Sequence, residues 1–320
     1  MLSISHNLKE GVVVILESTT YPGTTEEVIL PLLERGGLRH GKDFYLCFSP
    51  ERIDPGNIKY PVSKIPKIIG GISQEAGLLG KAVYEVIVDR VVMVSSTRVA
   101  EITKLLENTF RIVNIGLIDE LAMMAHKMGI DIWEVISAAS SKPFGFMPFY
   151  PGPGVGGHCI PKDPLYLYWK ANKFGFKSRF IKLASEVISF MPDYVVKRLE
   201  EILLAKGLSL SRARILIIGV TYKKDVKDLR KSPALDIIEI LKRKGACVAY
   251  HDPLVPYLRF PKINFKSVAL VKENLNKADC VLMATDHSCL NYGLILKYAK
   301  VIFDTRNIYI GKKNERIIRL

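Results

Sequence analysis

An uninterrupted helical pattern near the middle of the chain limits the folds that are open to it. Residues 99–128 read VAEITKLLENTFRIVNIGLIDELAMMAHKM, with Ser95, Ser96 and Thr97 before them as capping residues and Gly129 after them as a stop. A helix of about 30 residues is about 45 Å long. Because that length exceeds one small domain, we predict that this helix links two domains and packs against a partner subunit.

Short apolar runs alternate with helical runs on both sides of this helix, from residue 11 to about 95 and again from Arg212 onward. Alternation of this kind is typical of parallel α/β sheets. It predicts an α/β fold with two doubly wound Rossmann-like domains, the first incomplete, joined by the long central helix and a helical dimerisation core. A shorter helix is predicted to begin near Asp131 (IWEVISAAS), and a further helical stretch is predicted over MPDYVVKRLEEILLAK, from Met191 to about residue 206. The predicted boundaries are 1–95, 96–206 and 207–320.

The glycine pattern that binds a dinucleotide is absent from the positions where it would be effective. No GxGxxG follows a strand and opens a helix, and the first strand after Arg212 ends in Gly219 alone. A complete cofactor site therefore cannot be assembled from these residues, and we expect weak binding of NAD by this chain.

Composition excludes several classes of protein. The 320 residues contain no run of 18 apolar residues and no signal-peptide pattern, so neither membrane insertion nor secretion is predicted, and the cytoplasm is the expected location. The five cysteines form no CxxC pair, which argues against a disulfide framework, and we predict no metal site. The net charge of +14 is spread along the chain without a nucleic-acid-binding motif, so an anionic small molecule bearing a diphosphate is the better partner.

One cysteine lies in a glycine-rich segment, GPGVGGHCIPKDP at 152–164. Glycines permit positive φ and the prolines restrict the turns, so Cys159 is predicted at a loop tip, where a thiol meets a substrate. Lys162 and the helix suggested by LYLYWKAN are surroundings that favour a thiolate. Free cysteine is more often a small buried hydrophobic residue, and that alternative stays open for the residue taken alone.

Five motifs in order resemble the UDP-sugar 6-dehydrogenases: ESTTYPGTT (17–25), FSPERIDPGN (48–57), the Lys104 and Asn108 pair, GGHCIPKDP, and GVTYKKDVKDLRKSP (219–233). The resemblance covers nearly the whole chain and implies NAD-dependent oxidation of a sugar C6 alcohol to a carboxylate in two steps without release of the aldehyde. Family members begin with about a hundred residues that hold the nucleotide loop, so the chain resembles an N-terminally truncated copy.

The resemblance implies a catalytic set. Cys159 would be the nucleophile, forming a thiohemiacetal and then a thioester. Lys104 and Asn108, four residues apart on one helical face, would form the oxyanion site, and Asp163 would orient water or the lysine. The alternatives are a solvated helix lysine, a neutral polar position and a turn aspartate.

Two residues that follow strands complete this set. Glu51 would act as base for thioester hydrolysis at the carboxyl end of a sheet. Thr19 would hold the attacking water, although a threonine in STT can equally satisfy local backbone groups. Ser18, Thr19 and Glu51 are also the predicted contacts to NAD.

His158 marks a branch of the family in this interpretation. Side chains adjacent in an extended loop point apart, which disfavours a Cys–His pair. The sequence GGHC after PFGFMPFYPGPG resembles the branch that acts on UDP-N-acetylhexosamines. In the glucose enzymes an arginine stands where this chain has Pro143; Lys142 or the aromatic residues Phe144, Phe146 and Phe149 are candidates to replace its contact.

The substrate-binding prediction combines the glycine segment with a basic loop of the last domain. The helix opened by Ser232 and Pro233, together with cations that precede it, forms a natural anion site. The residues predicted to bind the UDP-sugar are Gly156, Gly157, Phe149, Tyr150, Lys223, Lys224, Arg230 and Arg306, with Asp228 in the same loop. A solvated basic loop is the alternative.

The sequence therefore predicts a cytoplasmic, homodimeric UDP-N-acetylhexosamine 6-dehydrogenase that uses NAD. UDP-N-acetylglucosamine and UDP-N-acetylmannosamine both stay open as substrates, because the epimers differ in a few hydrogen bonds that no motif encodes. The alternatives are a truncated, non-catalytic UDP-sugar-binding fragment and a UDP-glucose 6-dehydrogenase.

Overall fold

The computed structural model describes residues 2–54, 56–57, 59–260 and 263–320. It divides into two compact units. The first contains Met1–Arg111 and Lys162–Ile181, and the second contains Ile112–Pro161 and Lys182–Leu320. None of the helices in the described part of the chain combines the length and the apolar character that crossing a bilayer requires.

Four short strands form the sheet of the first unit, in the order β1 (Val12–Leu16), β2 (Phe44–Phe48), β3 (Lys67–Gly71) and β4 (Val91–Val94). The β1–β2 and β3–β4 pairs are parallel, whereas β2 and β3 pair antiparallel. The expectation of a parallel sheet over residues 11–95 is therefore wrong at this one pairing. The described part of the 49–66 connection contains a single 3-10 turn, at Val62–Lys64, and lacks the crossover helix that usually joins neighbouring parallel strands.

Helices cover both faces of this sheet. They are α1 (Leu2–Ser5), a π-helical turn (Thr25–Ile29) that continues into α2 (Leu30–Glu34), and α3 (Gln74–Glu85). Leu46 packs in the cluster that contains Ile29 and Leu33, whereas the next residue, Cys47, packs against Ala76 of α3. Because successive strand residues point to opposite faces, this contrast shows that both faces of the sheet are buried.

Four helices make up the middle of the chain: α4 (Thr97–Lys127), α5 (Ile132–Ser140), α6 (Cys159–Lys173) and α7 (Arg179–Leu204). The long helix predicted from residue 99 is confirmed as α4, and α5 is confirmed with Asp131 as its N-cap, where Oδ1 accepts from Trp133 N at 2.9 Å. α7 begins well before the Met191 and Pro192 that were predicted to open it.

The sheet of the second unit has five strands, all parallel, in the order β11 (Ile317–Arg319), β10 (Ile302–Asp304), β9 (Cys280–Met283), β5 (Arg214–Ile218) and β6 (Cys247–His251). Its helices are α8 (Pro233–Arg243), α9 (Lys272–Lys277) and α10 (Tyr292–Tyr298). The hairpin of β7 (Tyr257–Phe260) and β8 (Ile263–Lys266) and the edge strand β11 were not predicted.

Two hydrophobic clusters cover the two faces of this second sheet. Ile215 and Ile217 of β5 belong to the cluster that contains α7 and α8, and Leu216 and Ile218 belong to the opposite cluster with Met283. This alternation is that of a doubly wound sheet. Its strand ends therefore form a crevice in which polar loops can bind a ligand.

Candidate functional site

The predicted site residues are distributed over both units. Those in the first unit are Ser18, Thr19, Glu51, Lys104, Asn108 and Asp163. Those in the second unit are Phe149, Tyr150, Gly156, Gly157, Cys159, Lys223, Lys224, Arg230 and Arg306.

Cys159 is the first residue of α6 and is exposed. The prediction of a loop tip is therefore wrong, although the expected exposure is confirmed. Pro161 lies in the first turn of α6, where a proline costs little because the first N–H groups have no intrahelical acceptor, whereas Pro164 lies inside the helix and removes one of its backbone hydrogen bonds. The thiol lies at the N-terminus of α6, which is the positive end of the helix dipole.

The glycines before the cysteine pack against protein. An added Cβ at Gly156 would come within 2.5 Å of Tyr222 Cβ and 2.6 Å of Lys231 O, and one at Gly157 within 2.9 Å of the Tyr222 ring. Gly157 also has φ of +85° and donates its N–H to Arg230 O at 2.8 Å. Gly156 and Gly157 are both buried. Their small size brings the cysteine segment onto the basic loop.

The amide of Asn108 is hydrogen bonded to a buried carboxylate. Asn108 Nδ2 donates to Asp163 Oδ2 at 2.6 Å, and the two residues are 5% and 1% exposed. One turn earlier on α4, Lys104 is half-buried, and no carboxylate among the described residues pairs with its ammonium. Asn108 therefore enters any oxyanion site with one N–H already engaged, and Asp163 orients that amide.

Glu51 belongs to a network of charged groups at the ends of β2 and β3. Its Oε1 accepts the N–H groups of Arg52 and Ile53, and its Oε2 lies 3.2 Å from Lys67 Nζ. Lys67, which is 8% exposed, also donates to Glu17 at 2.7 Å. Lys67 therefore fixes the orientation of the Glu51 carboxylate.

The pKa of Glu17 reflects the same network. Burial alone would raise this pKa, but hydrogen bonds from Lys67 and Tyr84 together hold it below its ordinary value. Burial and the bond to Glu17 in turn raise the pKa of Tyr84 well above its ordinary value. A carboxylate and a neutral phenol are thus the stable forms beside Lys67.

Ser18 and Thr19 follow β1 at the carboxyl end of the sheet, where dinucleotides bind in α/β folds. The next residue supplies a test of fit, because Thr20 Oγ1 is buried and has no hydrogen-bond partner among the described residues. A buried hydroxyl without a partner is uncommon and suits a polar ligand. The unpartnered hydroxyl shows that this edge of the sheet can accept a polar ligand, and the contacts of Ser18, Thr19 and Glu51 to NAD stay predictions.

The segment Tyr21–Glu27 of the first motif is anchored by residues that were not predicted. Glu101 of α4, 1% exposed, accepts from Thr25 N at 2.9 Å and from Thr25 Oγ1 at 2.7 Å. Lys170 of α6 donates to Glu27 at 2.6 Å and lies over the ring of Tyr21. The shape of this segment therefore depends on contacts with both helices.

The basic loop after β5 presents its cations to solvent. Lys224 is about half exposed and lies 3.5 Å from Asp286. Arg230 is 65% exposed at its side chain and forms a two-pronged pair with Asp228, the shortest contact being 2.7 Å. Asp228 raises the pKa of the Arg230 guanidinium, and Tyr222 and Cys159 act on it in the same direction from farther away. The thiol and this arginine therefore lie within electrostatic reach of each other.

Arg306 follows β10 and lies beside the glycine segment. Its Nε donates to Ala284 O at 2.8 Å, and its guanidinium occupies the space that a side chain at Gly152 would need. Asp119 of α4, fully buried, accepts from Gly152 N at 3.1 Å. Burial raises the pKa of Asp119 to about 8, against the opposing effects of Gly152 N–H and Arg306. No local pattern in the helix sequence singles out this residue.

The aromatic residues before the glycines pack mainly on α5. Phe149 joins the cluster of Trp133, and Tyr150 stacks on the Trp133 ring at 6.1 Å between centroids while remaining 59% exposed. Lys142 lies over the ring of Phe144, and His158 is exposed. Tyr150 is thus the better placed of the two predicted aromatic residues to meet a ligand.

Three family models match successive parts of the chain. They describe the UDP-glucose/GDP-mannose dehydrogenase family: its NAD binding domain over residues 1–88, its central domain over 98–188 and its UDP binding domain over 216–311. A UDP-N-acetyl-D-mannosamine dehydrogenase from Pyrococcus horikoshii is 36% identical over 96% of this chain and 71% of its own length. The chain belongs to the UDP-glucose/GDP-mannose dehydrogenase family.

Other relatives of the family point the same way. A UDP-N-acetyl-D-glucosamine 6-dehydrogenase from Pseudomonas aeruginosa is 42% identical over 79% of this chain and 60% of its own length. The solved UDP-D-ManNAc dehydrogenase of Pyrococcus horikoshii superposes with a TM-score of 0.87 over 99% of this chain and 74% of that one, at 36% identity. The chain thus spans about 60–71% of the length of these curated relatives.

These findings confirm several predictions. The α/β fold with Rossmann-like domains and a helical central part, the family, the class of NAD-dependent UDP-sugar dehydrogenases and NAD as its cofactor are confirmed. The individual roles of the site residues stay predictions.

Proposed function

We propose that this chain supplies the nucleophile and the UDP-sugar site of an NAD-dependent UDP-N-acetylhexosamine 6-dehydrogenase. The observation that carries the proposal is the hydrogen bond from Gly157 N to Arg230 O, which joins the cysteine segment to the basic loop within one unit. A nucleophile beside cations that suit a diphosphate is the arrangement that oxidation of a nucleotide sugar requires.

The proposed reaction converts a C6 alcohol to a carboxylate with loss of four electrons. NAD, when bound, would supply the hydride acceptor for each of the two oxidations, in two equivalents, and water would supply the second carboxylate oxygen. After the first oxidation the Cys159 thiolate adds to the aldehyde carbon, forming the C–S bond of a thiohemiacetal. After the second oxidation that carbon is a thioester, and attack by water breaks the C–S bond to release the acid and the thiol.

Lys104, Asn108 and Asp163 would act on the oxygen that becomes negative during these additions. The Lys104 ammonium has no carboxylate partner among the described residues, and the Asn108 amide keeps one N–H beyond the one given to Asp163. Donors that are fixed before the reaction stabilise developing charge without reorganisation. Asp163 fixes the Asn108 amide in this scheme.

Glu51 would act as the base for thioester hydrolysis, and Ser18 and Thr19 would contact NAD and the attacking water. The support is positional. All three follow strands at the carboxyl end of the first sheet, and Glu51 is held there by Lys67. A carboxylate held by a buried ammonium can accept a proton from water without changing its position.

UDP-N-acetylhexosamines are the proposed substrates. Relatives named for the glucosamine and the mannosamine nucleotides are 42% and 36% identical to the chain, so both epimers are carried forward. Gly156, Gly157, Tyr150, Phe149, Lys223, Lys224, Arg230 and Arg306 would form the substrate site. Tyr150 is the candidate to contact the sugar, because its ring is exposed and its orientation is fixed by Trp133.

A homodimer in the cytoplasm is part of the proposal. α4 exposes large apolar side chains along its length, including Leu106 at 63%, Phe110 at 46% and Leu117 at 53%. Exposure on this scale is typical of a subunit interface. The cytoplasmic assignment is supported by free thiols, of which Cys159, Cys247 and Cys289 are exposed.

The proposed function is tested by supplying the chain with saturating NAD and either UDP-N-acetylglucosamine or UDP-N-acetylmannosamine. We expect two NADH to form for each uronic acid, detected by absorbance and by mass spectrometry of the nucleotide product. UDP-glucose is the comparison substrate, and a preference for it would favour the UDP-glucose alternative. Binding of UDP in calorimetry with no NADH from any substrate would favour the non-catalytic UDP-sugar-binding alternative.

A further inference from the structure

The basic loop, defined here as residues 219–231, takes a backbone shape that L-amino acids rarely adopt. Asp225 has φ of +58° and Lys231 has φ of +50°. Left-handed conformations at non-glycine residues persist only where surrounding groups hold them. Contacts from surrounding groups must therefore hold the loop that presents Lys223, Lys224 and Arg230.

Asp225 is bound by His287 and Ser288, two consecutive residues that follow β9. Ser288 donates its N–H and its hydroxyl to the Asp225 carboxylate at 2.7 and 2.6 Å. His287 accepts the backbone N–H of Asp225 at its Nδ1, at 3.0 Å. The peptide that adopts the left-handed conformation is thus held at its nitrogen and at its side chain.

The His287 ring is itself held in one tautomer. The ring is fully buried, and its Nε2 lies 3.2 Å from Asp252 Oδ2 and 3.1 Å from Thr221 Oγ1. Because Nδ1 accepts from a peptide N–H, the ring proton is on Nε2 and is donated to Asp252. Asp252 is fixed in turn by the N–H groups of Val220, Leu254 and Val255.

We infer that His287 is a positioning residue that holds the basic loop in its anion-binding shape, through the bond from Asp225 N–H to its Nδ1. The carboxylate of Asp252 orients the ring, the ring holds the peptide, and the peptide orients the cations. The identity of the anion as a UDP diphosphate rests on the proposed function. The role of the ring in shaping the loop does not.

Two substitutions of His287 each remove one hydrogen bond of the ring and keep the other. In His287→Asn the amide oxygen lies near the position of Nδ1 and can accept Asp225 N–H, while the bond to Asp252 is lost. In His287→Gln the longer side chain reaches the position of Nε2 and can donate to Asp252, while Asp225 N–H loses its acceptor. Tyr250→Phe is the control, since it removes a buried hydrogen bond to Val255 O in the same unit without touching the loop.

The experiment measures UDP affinity by calorimetry and hydrogen exchange of the loop amides in the full chain. We expect His287→Gln to weaken UDP binding by roughly tenfold or more and to speed exchange in residues 221–231. His287→Asn should lose less affinity, and Tyr250→Phe should match the unsubstituted chain in both measurements. In turnover the loss should appear in KM for the UDP-sugar and not in kcat.

Equal exchange and equal affinity in the Gln variant and the unsubstituted chain would overturn the inference. Equal losses in the Asn and Gln variants would also overturn it, because they would show general damage to the core. If the unsubstituted chain binds no UDP, the proposed function fails, and the exchange data still decide the role of His287.

Discussion

The two units prepare their functional groups in different ways. In the first unit, the side chains proposed to act in the reaction are held by other side chains, as Asp163 holds the Asn108 amide and Lys67 holds the Glu51 carboxylate. In the second unit, buried side chains hold the backbone, as His287 holds Asp225 N–H and Asp119 holds Gly152 N–H, and cations such as Arg230 remain exposed. The first arrangement fixes the positions of individual side-chain atoms, as a group that takes part in a reaction requires. The second fixes a surface and leaves side chains free to adapt to a ligand, which suits binding.

The largest expected effect comes from substituting the nucleophile. Cys159 lies in the second unit but is proposed to form the covalent bond to the substrate. Cys159→Ser should lower acid formation by roughly a thousandfold or more, because a hydroxyl is a poor nucleophile toward an aldehyde at neutral pH. Cys289→Ser, at another exposed cysteine, is the control and should keep full activity. Uronic acid production by the Cys159 variant at the unsubstituted rate would contradict the thioester route.

The next effect concerns the side chain proposed to stabilise developing charge. Lys104→Ala should lower kcat by about a hundredfold while changing UDP affinity little. Lys127→Ala, an exposed lysine on the same helix, is the matched control. Parallel losses of affinity and kcat at Lys104 would make it an ordinary binding residue and would weaken the contrast between the units.

A double-mutant cycle tests whether Asn108 and Asp163 act as a pair. Each single alanine substitution should lower kcat by about a hundredfold, and the double substitution should lower it by little more than either one, because the residues share one hydrogen bond. The rates are measured at saturating substrate for all four proteins. Independent effects, which multiply in the double variant, would show that the bond observed at 2.6 Å has no functional role.

Substituting an exposed cation of the second unit should have a smaller effect, and that effect should be on UDP affinity and not on kcat. Arg230→Gln should weaken UDP binding by roughly tenfold and leave kcat nearly unchanged, because the guanidinium is proposed to contact the diphosphate, a part of the substrate that does not react. Calorimetry and steady-state kinetics measure the two quantities, with Lys313→Gln as the exposed control. Unchanged affinity would support the alternative of a solvated basic loop.

The smallest expected effect is on stability. Burial raises the pKa of Asp119 from 3.8 to about 8, so between these values the folded state binds more protons than the unfolded state. The free energy of unfolding therefore falls as the pH rises through this range. Asp119→Asn keeps an acceptor for Gly152 N–H and does not titrate. Its melting temperature should match that of the unsubstituted chain near pH 4 and exceed it by a few degrees near pH 8. A difference that is the same at both pH values would contradict this account.

Sequence reasoning succeeded where the determining interactions are local. The start of α5 near Asp131, the extent of α4, and Ser232 and Pro233 at the start of α8 were all predicted. A helix boundary and a cap depend on residues a few positions apart, which a local pattern contains.

Prediction failed where distant contacts override local preference. The helical stretch predicted from Met191 begins too late, because α7 starts at Arg179 and continues through Pro192, with Ile188 and Met191 buried just before it. His287, Asp252 and Asp119 were missed because the partners named here lie 32 to 62 positions away in the chain. The pairing of Asn108 with Asp163, 55 positions apart, was missed for the same reason.

The close packing of Gly156 and Gly157 on Tyr222 has a consequence for exchanging parts between relatives. Two stretches separated by about 65 residues share one surface without room for a methyl group, so neither can change its shape alone. A hybrid that takes the cysteine segment from one parent and the basic loop from another would bring together surfaces that were never matched. We therefore expect that substrate preference can be transferred between relatives in this family only when both stretches are exchanged together.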